Sequence, residues 1–218
     1  MKRFLILGLL IFVSCQKENP VQPSNAFDDS SIPDSIKKLL NYDAAFLTFA
    51  ELRNDTSWLN NVVEIPEDIQ LIYYRELVAI HNMNDQYPFN YVKKIHVFPF
   101  VSLELMVLMV DKGYSWVRNL LNGILETGEA KFDSLVKQYK LQLFWISDRY
   151  VILYSPEPVN MYALSKKFSK IKGIYFSGPE FLAGDGNDLE AKRKDDSIEY
   201  TFSLGWGDCL SGCSHRHY

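Results

Sequence analysis

The sequence predicts an α+β protein with a ferredoxin-like core, and the pattern of residues 103–178 predicts it. An apolar run at 103–110 is short enough for a buried strand, and two aromatic and β-branched runs at 141–146 and 150–154 are separated by a short polar turn. Helical periodicity lies on both sides of this hairpin. A last strand at 174–176 completes the order β-α-β-β-α-β, the split βαβ arrangement. We therefore expect one antiparallel sheet with helices on one face and with its first and last strands as central neighbours.

The helices of this core have their own signals. A short helical insertion is expected at 116–121. In residues 132–139, apolar side chains fall at i, i+3, i+4 and i+7, which lines one face of a helix, and Thr127 is the expected cap. The last helix starts at Asn160 and is ended by Gly173. Both crossovers of the split βαβ arrangement are therefore predicted to be helical.

Residues 33–98 are expected to form a helical region ahead of the core. Pro33-Asp34 opens one helix and Pro66-Glu67 opens another, because proline suits the first turn and acids suit the positive end of the helix dipole. An edge strand is predicted at 91–98. Asp43 falls inside the apolar stripe of the first helix, where an unpaired carboxylate is costly. It is therefore expected to cap a break between two helices or to have a partner.

Residues 1–14 are typical of a signal peptide. Their apolar run, 4–13, is too short to span a hydrocarbon core, which needs about 20 residues. The ending Phe12-Val13-Ser14-Cys15 resembles the lipobox of bacterial lipoproteins, which implies that Cys15 is diacylated and anchors the mature chain in a lipid bilayer. The alternative is an ordinary secretory peptide cut near the same place, which leaves Cys15 free or disulfide-bonded. Residues 15–32 contain prolines, serines and acids and are expected to be a flexible tether.

The composition narrows the class of function. A chain of 218 residues with 47% hydrophobic content suits a globular core, and its formal net charge is -4. A mildly acidic protein is a poor ligand for a phosphate backbone, so no nucleic-acid partner is expected. The sequence also contains no Gly-rich phosphate loop and no Ser/His/Asp set.

The final segment, 205–218, holds the side chains with the most distinctive chemistry. Cys209 and Cys213 flank a glycine-containing loop, and an oxidising compartment favours a disulfide between them. With His215 and His217 they also supply the four nitrogen and sulfur ligands of a tetrahedral zinc ion, although these two histidines are closer together than the usual pair. Two free thiols are the third alternative. The disulfide is our prediction, and no metal or other cofactor is expected.

A nucleophilic cysteine is a further alternative. Asp208-Cys209 resembles the start of an Asp-Cys-Ser-Gly motif in cell-wall cysteine peptidases, but Leu210 intervenes here, and those enzymes place their histidine far downstream. A dyad would have to recruit His81 or His96, which are isolated in the sequence and receive no role. The sequence therefore predicts no enzyme activity.

Residues 181–218 are expected to extend the core with β-structure around a strand at 198–204. Four side chains ahead of that strand have a calcium-like composition: Asp185, Asn187, Asp188 and Glu190. Because the rest of an EF-hand loop does not follow, a tight turn is the preferred interpretation. Lys192-Arg193-Lys194 is flanked by acids and is expected at a solvated hairpin tip.

Five segments of the chain are similar to a family of exported Bacteroidota proteins that end in a Trp-Gly-Asp-Cys-Pro-Ser-Gly-Cys type motif: 32–35, 98–105, 125–128, 184–188 and 205–213. The resemblance implies a compartment and an architecture, and no particular activity. Leu210 replaces the proline of that motif. Residues 160–176 are also similar to the last helix and strand of subtilase propeptides and related peptidase inhibitors, which share the ferredoxin-like topology.

The sequence thus predicts a non-enzymatic lipoprotein of the cell envelope, at the outer membrane or the cell surface, that binds or scaffolds an envelope protein. The similarity to propeptides gives a second hypothesis, a peptidase-inhibitor module. A metal-binding protein or cysteine-dependent enzyme that uses the C-terminal cluster is the third.

Overall fold

The structure, a computed structural model, describes residues 29–181, 186–195, 197–206 and 214–218. The helices in these parts of the chain are α1 (Asp34–Leu52), α2 (Thr56–Asn61), α3 (Glu67–His81), α4 (Phe89–Val92), α5 (Ser115–Leu121), α6 (Ala130–Gln138) and α7 (Met161–Phe168). The strands are β1 (Val101–Val110), β2 (Gln142–Ser147), β3 (Tyr150–Tyr154), β4 (Ile174–Phe181), β5 (Asp188–Lys194), β6 (Ser197–Trp206) and β7 (Ser214–His217). The predicted α+β class is confirmed.

The first sheet has the strand order β2-β3-β1-β4, and all its pairs are antiparallel. This order is the ferredoxin-like arrangement expected from the sequence. One detail of the prediction is wrong, because β1 and β4 are neighbours but β4 lies at an edge, and β1 and β3 form the central pair. The β2–β3 hairpin explains the difference: β3 lies between β2 and β1, so β4 can pair with β1 only on its outer side and is an edge strand.

The helices between the strands cover one face of this sheet. Met106 and Leu108 of β1 point to that face, where they join Phe132 of α6 and Leu164 and Phe168 of α7 in one buried cluster. The alternation of side chains along a strand places every second residue there. This cluster is the core that holds the ferredoxin-like unit together.

The N-terminal helices and the C-terminal sheet share a second buried cluster. In it, Leu77 of α3 and Leu47 of α1 lie with Leu189 of β5 and Phe202 of β6. β5, β6 and β7 form a separate antiparallel sheet in that order. The last strands of the chain therefore pack on its first helices.

Asn160 ties the two parts together. Its side-chain Oδ1 accepts hydrogen bonds from the N–H groups of Tyr162 and Ala163, which caps α7 as predicted. Its Nδ2 donates to the carbonyl oxygens of Leu59 and Val62 at 3.0 and 2.9 Å. One buried amide thus caps the start of α7 in the core and satisfies carbonyl groups in the last turn and at the C-cap of α2.

Two local predictions are wrong. Glu129, not Thr127, is the N-cap residue of α6, because Thr127 Oγ1 donates instead to Asp133 Oδ1 at 2.8 Å. The predicted strand at 91–98 is the short helix α4 followed by an extended segment. Pro88 directly precedes α4, and its φ, fixed in the helical range, favours a helical turn there over an extended strand.

Candidate functional site

The second face of the four-stranded sheet is the candidate functional site, and we call it the open face. The strand register places eight apolar or aromatic side chains on it: Leu105, Val107, Met109, Trp145, Tyr150, Ile152, Tyr154 and Phe176. Val107 lies opposite Ile152, and Met109 lies between Tyr150 on one neighbouring strand and Phe176 on the other. Two polar residues, Gln142 and Ser147, lie on the same face at its β2 edge, opposite Tyr154 and Tyr150.

Three of the four aromatic side chains of the open face are substantially exposed, and Tyr154 is partly exposed. Trp145 is 49% exposed, Tyr150 43% and Phe176 46%, and the aliphatic members are partly exposed. None of the eight belongs to a hydrophobic cluster of the residues that the structure describes. An antiparallel sheet that packs helices on one face usually has polar side chains on the other. This face instead has the composition of an interaction surface.

Gly178 shapes the β4 side of the open face. It lies opposite Val107, and a Cβ atom built on it would come within 2.9 Å of Phe176 Cζ. The ring of Phe176 therefore lies over the glycine, on the same strand. Because no side chain occupies position 178, the aromatic ring stays close to the sheet and the surface remains flat.

Charged groups lie at one end of this sheet, where β1 ends and β2 turns into β3. Lys112 pairs with Asp148 of that turn, and this ion pair holds the pKa of the Asp148 carboxyl below its usual value. The pKa of Asp111 is also lowered, first by the hydrogen bond from the Gly113 N–H. An apolar centre with a charged margin is the usual anatomy of a protein–protein interface.

The partner expected for Asp43 is present. Its Oδ1 accepts a hydrogen bond from the Val97 N–H at 2.8 Å, and its Oδ2 lies 2.7 Å from His96 Nδ1. Helix α1 has no break at Asp43. The carboxyl is only 2% exposed, and this burial raises its pKa. The pair fastens α1 to residues 96–97, so we interpret it as structural.

Most of the candidate ligands and thiols of the C-terminal segment lie outside the described residues. Cys15, Cys209 and Cys213 lie outside the described residues, and of His215 only the backbone, in β7, is described. His217 Nδ1 lies 2.7 Å from Ser203 Oγ on the neighbouring strand. Within the described ranges, no group of three or more His, Cys, Asp or Glu side chains is placed to hold a metal ion.

The remaining oxygen-bearing candidates serve the second sheet, apart from Asp185, which lies outside the described residues. Asn187 Oδ1 accepts a hydrogen bond from the Gly205 N–H at 3.3 Å, and Asp188 Oδ1 accepts one from the Leu189 N–H at 2.8 Å. Asp188 and Glu190 lie in β5 rather than in the predicted turn. These contacts support strand structure and do not gather the side chains around a common point.

Comparisons with protein-family models, curated proteins and solved structures return no match for this chain. Among the helices of the described ranges, none has both the length and the apolar character needed to cross a membrane.

The sequence predicted the strands that form the open face, but it did not predict that one face of their sheet is apolar and exposed. The run at 103–110 was interpreted as a buried strand because it is apolar at consecutive positions. One sequence signal could have indicated this second face. Every second residue of each strand, at 105, 107 and 109 and at 150, 152 and 154, is apolar or aromatic, in addition to the residues that form the core. Only the observed packing tells which of the two faces the helices cover.

Proposed function

We propose that this protein is a non-enzymatic binding module of the cell envelope, anchored through a diacylated Cys15, and that it docks a protein partner on its open face. The observation that carries the proposal is the exposure of eight apolar and aromatic side chains on the uncovered side of an antiparallel sheet. Burial of this surface would release water from apolar area, which is the main driving force of association.

The shape and composition of the open face favour a protein over a small molecule. Small-molecule sites are concave, whereas this site is the flat side of a sheet. Tryptophan and tyrosine are enriched among the residues that dominate binding energy at protein interfaces, and Trp145, Tyr150 and Tyr154 lie together here. Met109 adds a flexible apolar side chain between Tyr150 and Phe176.

The tether supports docking near a membrane. If Cys15 carries the lipid, the predicted tether would end before Asp29, which accepts a hydrogen bond from Tyr74, and would hold the folded part roughly 20 Å from the bilayer, from the dimensions of a flexible chain. A partner in the same envelope then meets the open face at a high effective concentration. Mass spectrometry of the N-terminal peptide tests the anchor: acyl mass is expected on Cys15 and absent in Cys15→Ser, and an unmodified N terminus contradicts the anchor.

A peptidase-inhibitor module is the second candidate. The exposed sheet face supports it, because ferredoxin-like inhibitors need such a face for docking on a peptidase. The segment that follows β4 argues against an inhibitor. By Asp188 the chain has entered β5, which packs on α1 and α3. An inhibitor of this type instead needs a free segment after its last strand. A general docking function is therefore the better supported of the two.

Site-specific photocrosslinking tests the docking proposal. A photoreactive amino acid at Tyr150 is compared with one at Ile72 on α3, which is 42% exposed and lies away from the open face. In envelope membranes we expect one defined protein adduct from position 150 and none from position 72. Val107→Lys, which places a charge in the middle of the face, should abolish the adduct. Equal adducts at both positions, or none at position 150, would contradict the proposal.

A further inference from the structure

A groove of about 700 Å³ runs between α1 and β5, and Tyr73 of α3 lies at one end of it. Phe46, Leu47 and Ala50 of α1 line one wall, and residues 188–193 of β5 line the other. β5 is the edge strand of its sheet. The groove therefore lies along a strand whose outer side has no partner strand in the described part of the chain.

The hydrogen bonds of the sheet show which backbone groups of β5 point into this space. Phe202 of β6 exchanges two hydrogen bonds with Tyr218, so its N–H and C=O point toward β7 and away from β5. Leu189 lies opposite Phe202, and pairs in an antiparallel ladder alternate. The N–H and C=O groups of Leu189, Ala191 and Arg193 therefore point outward.

Some of these outward groups already have a partner at one end of β5. The Leu189 N–H donates to Asp188 Oδ1, and the Asn187 C=O accepts from the Phe98 N–H at 2.9 Å. Among the described residues, no backbone partner is found for the C=O of Leu189 or for the N–H and C=O of Ala191 and Arg193. They form a continuous row, about 13 Å long at the usual rise of a strand.

Glu51 fixes the width of the groove at the end where Tyr73 lies. Its Oε2 accepts hydrogen bonds from Arg193 Nη2 at 3.1 Å and from the Tyr73 hydroxyl at 2.7 Å. The guanidinium of Arg193 also lies over the Tyr73 ring, with its carbon 5.2 Å from the ring centroid. This bridge joins β5 to α1 and sets their spacing at this end of the groove. Arg193 lies one pair from the β5–β6 turn and its side chain is 42% exposed, as expected for a solvated hairpin tip, but it also has Glu51 as a partner.

We propose that this groove binds an extended peptide segment of another protein, which adds a strand to the edge of β5. Only an extended backbone presents N–H and C=O groups at the spacing of the unpaired groups on Ala191 and Arg193. Every second side chain of the added strand would lie on Phe46 and Ala50. The intervening side chains would face solvent beside Glu190 and Lys192, which have opposite charges. The groove thus selects about five residues of alternating apolar and polar character.

A second copy of this chain is a poorer occupant than a peptide. If two copies paired through their β5 edges, each copy would have to bring its own α1 into the groove of the other, because α1 flanks β5 in every copy. A single extended segment has no such obstacle. The groove contains no residue of the open face, so this inference is independent of the proposed function.

Substitutions of Ala191 test strand addition. Ala191→Pro removes the outward N–H without breaking a hydrogen bond to β6, and proline is tolerated at such edge positions. Ala191→Val is the matched control, because it adds similar bulk and keeps the N–H. Random linear peptides displayed on phage are selected on the full-length protein. Selected peptides should bind Ala191→Pro about tenfold or more weakly, while Ala191→Val stays within about threefold.

Two readouts identify the binding mode. Methylation of single backbone nitrogens in a selected peptide should weaken binding at every second position only, because alternate N–H groups pair with the strand. Hydrogen exchange at Ala191 and Arg193 should slow when the peptide is bound. The inference is overturned if no peptide is selected, if selected peptides bind Ala191→Pro as tightly as Ala191→Val, or if the methylation pattern has no period of two.

Discussion

Val107 of β1 lies directly opposite Ile152 of β3 on the open face, and both side chains are partly exposed. One position along each strand, Met106 lies opposite Leu153, and both are fully buried beneath the helices. The same two strands therefore present apolar side chains on both faces, and the described helices cover only one. The uncovered pairs have no role in the core, which is why we assign them to binding.

Alanine substitutions at adjacent positions of β3 should separate the two faces. Leu153→Ala removes a fully buried side chain and should lower the free energy of unfolding by about 2–5 kcal/mol. Ile152→Ala should lower it by about 1 kcal/mol or less, because its side chain already contacts water. Chemical denaturation of both variants measures the difference. Equal losses would mean that the open face is part of the core.

Asn160 should be among the most sensitive polar positions. Asn160→Ala removes the cap of α7 and the donor to the carbonyl groups of Leu59 and Val62, so we expect a loss of about 2–4 kcal/mol. Asn160→Asp keeps the cap acceptor but places a buried carboxyl oxygen against the Leu59 and Val62 carbonyl groups, so it should lose at least as much stability as Asn160→Ala. If denaturation shows that both variants are as stable as the unsubstituted protein, the amide does not join the two parts of the fold.

Burial of Asp43 should make its contribution to the free energy of unfolding depend on pH. Because burial raises the pKa of the folded carboxyl, the unfolded chain releases this proton at a lower pH than the folded one does. The contribution of Asp43 to stability is therefore present below about pH 4 and declines as pH rises through the higher folded pKa. The free energy of unfolding of the unsubstituted protein minus that of Asp43→Asn should fall over this range. A difference that rises with pH would show that the pairing with His96 and Val97 outweighs burial.

The fold was predictable from the sequence where the signals are local. Apolar runs, the β2–β3 turn and the cap at Asn160 each depend on a few neighbouring residues, and together they gave the ferredoxin-like order. The packing of Leu189 and Phe202 on α1 was not predictable, because it joins segments far apart in the chain without a local pattern. For the same reason, the groove beside β5 and the contact of Arg193 with Glu51 had no sequence signal.

The predicted disulfide between Cys209 and Cys213 should affect local order more than global stability. A loop this short restricts the unfolded chain little, so replacing both cysteines with serine should leave the melting temperature nearly unchanged. Thiol counting under denaturing conditions, on protein taken from the envelope, should find both cysteines oxidised. Two free thiols would contradict the disulfide. Stoichiometric zinc that is lost in His215→Ala would instead support the metal alternative.

The central claim, that a partner covers the open face in the envelope, is tested most directly by hydroxyl-radical footprinting. The labelled side chains are those of the face that oxidise readily, Met109, Trp145, Tyr150 and Phe176, with Tyr87 as the control because it is 68% exposed and lies elsewhere. Oxidation is compared between envelope membranes and the purified Cys15→Ser protein in buffer. We predict that oxidation of the open face, relative to Tyr87, is severalfold lower in the membranes. Equal relative oxidation in the two preparations would contradict the claim.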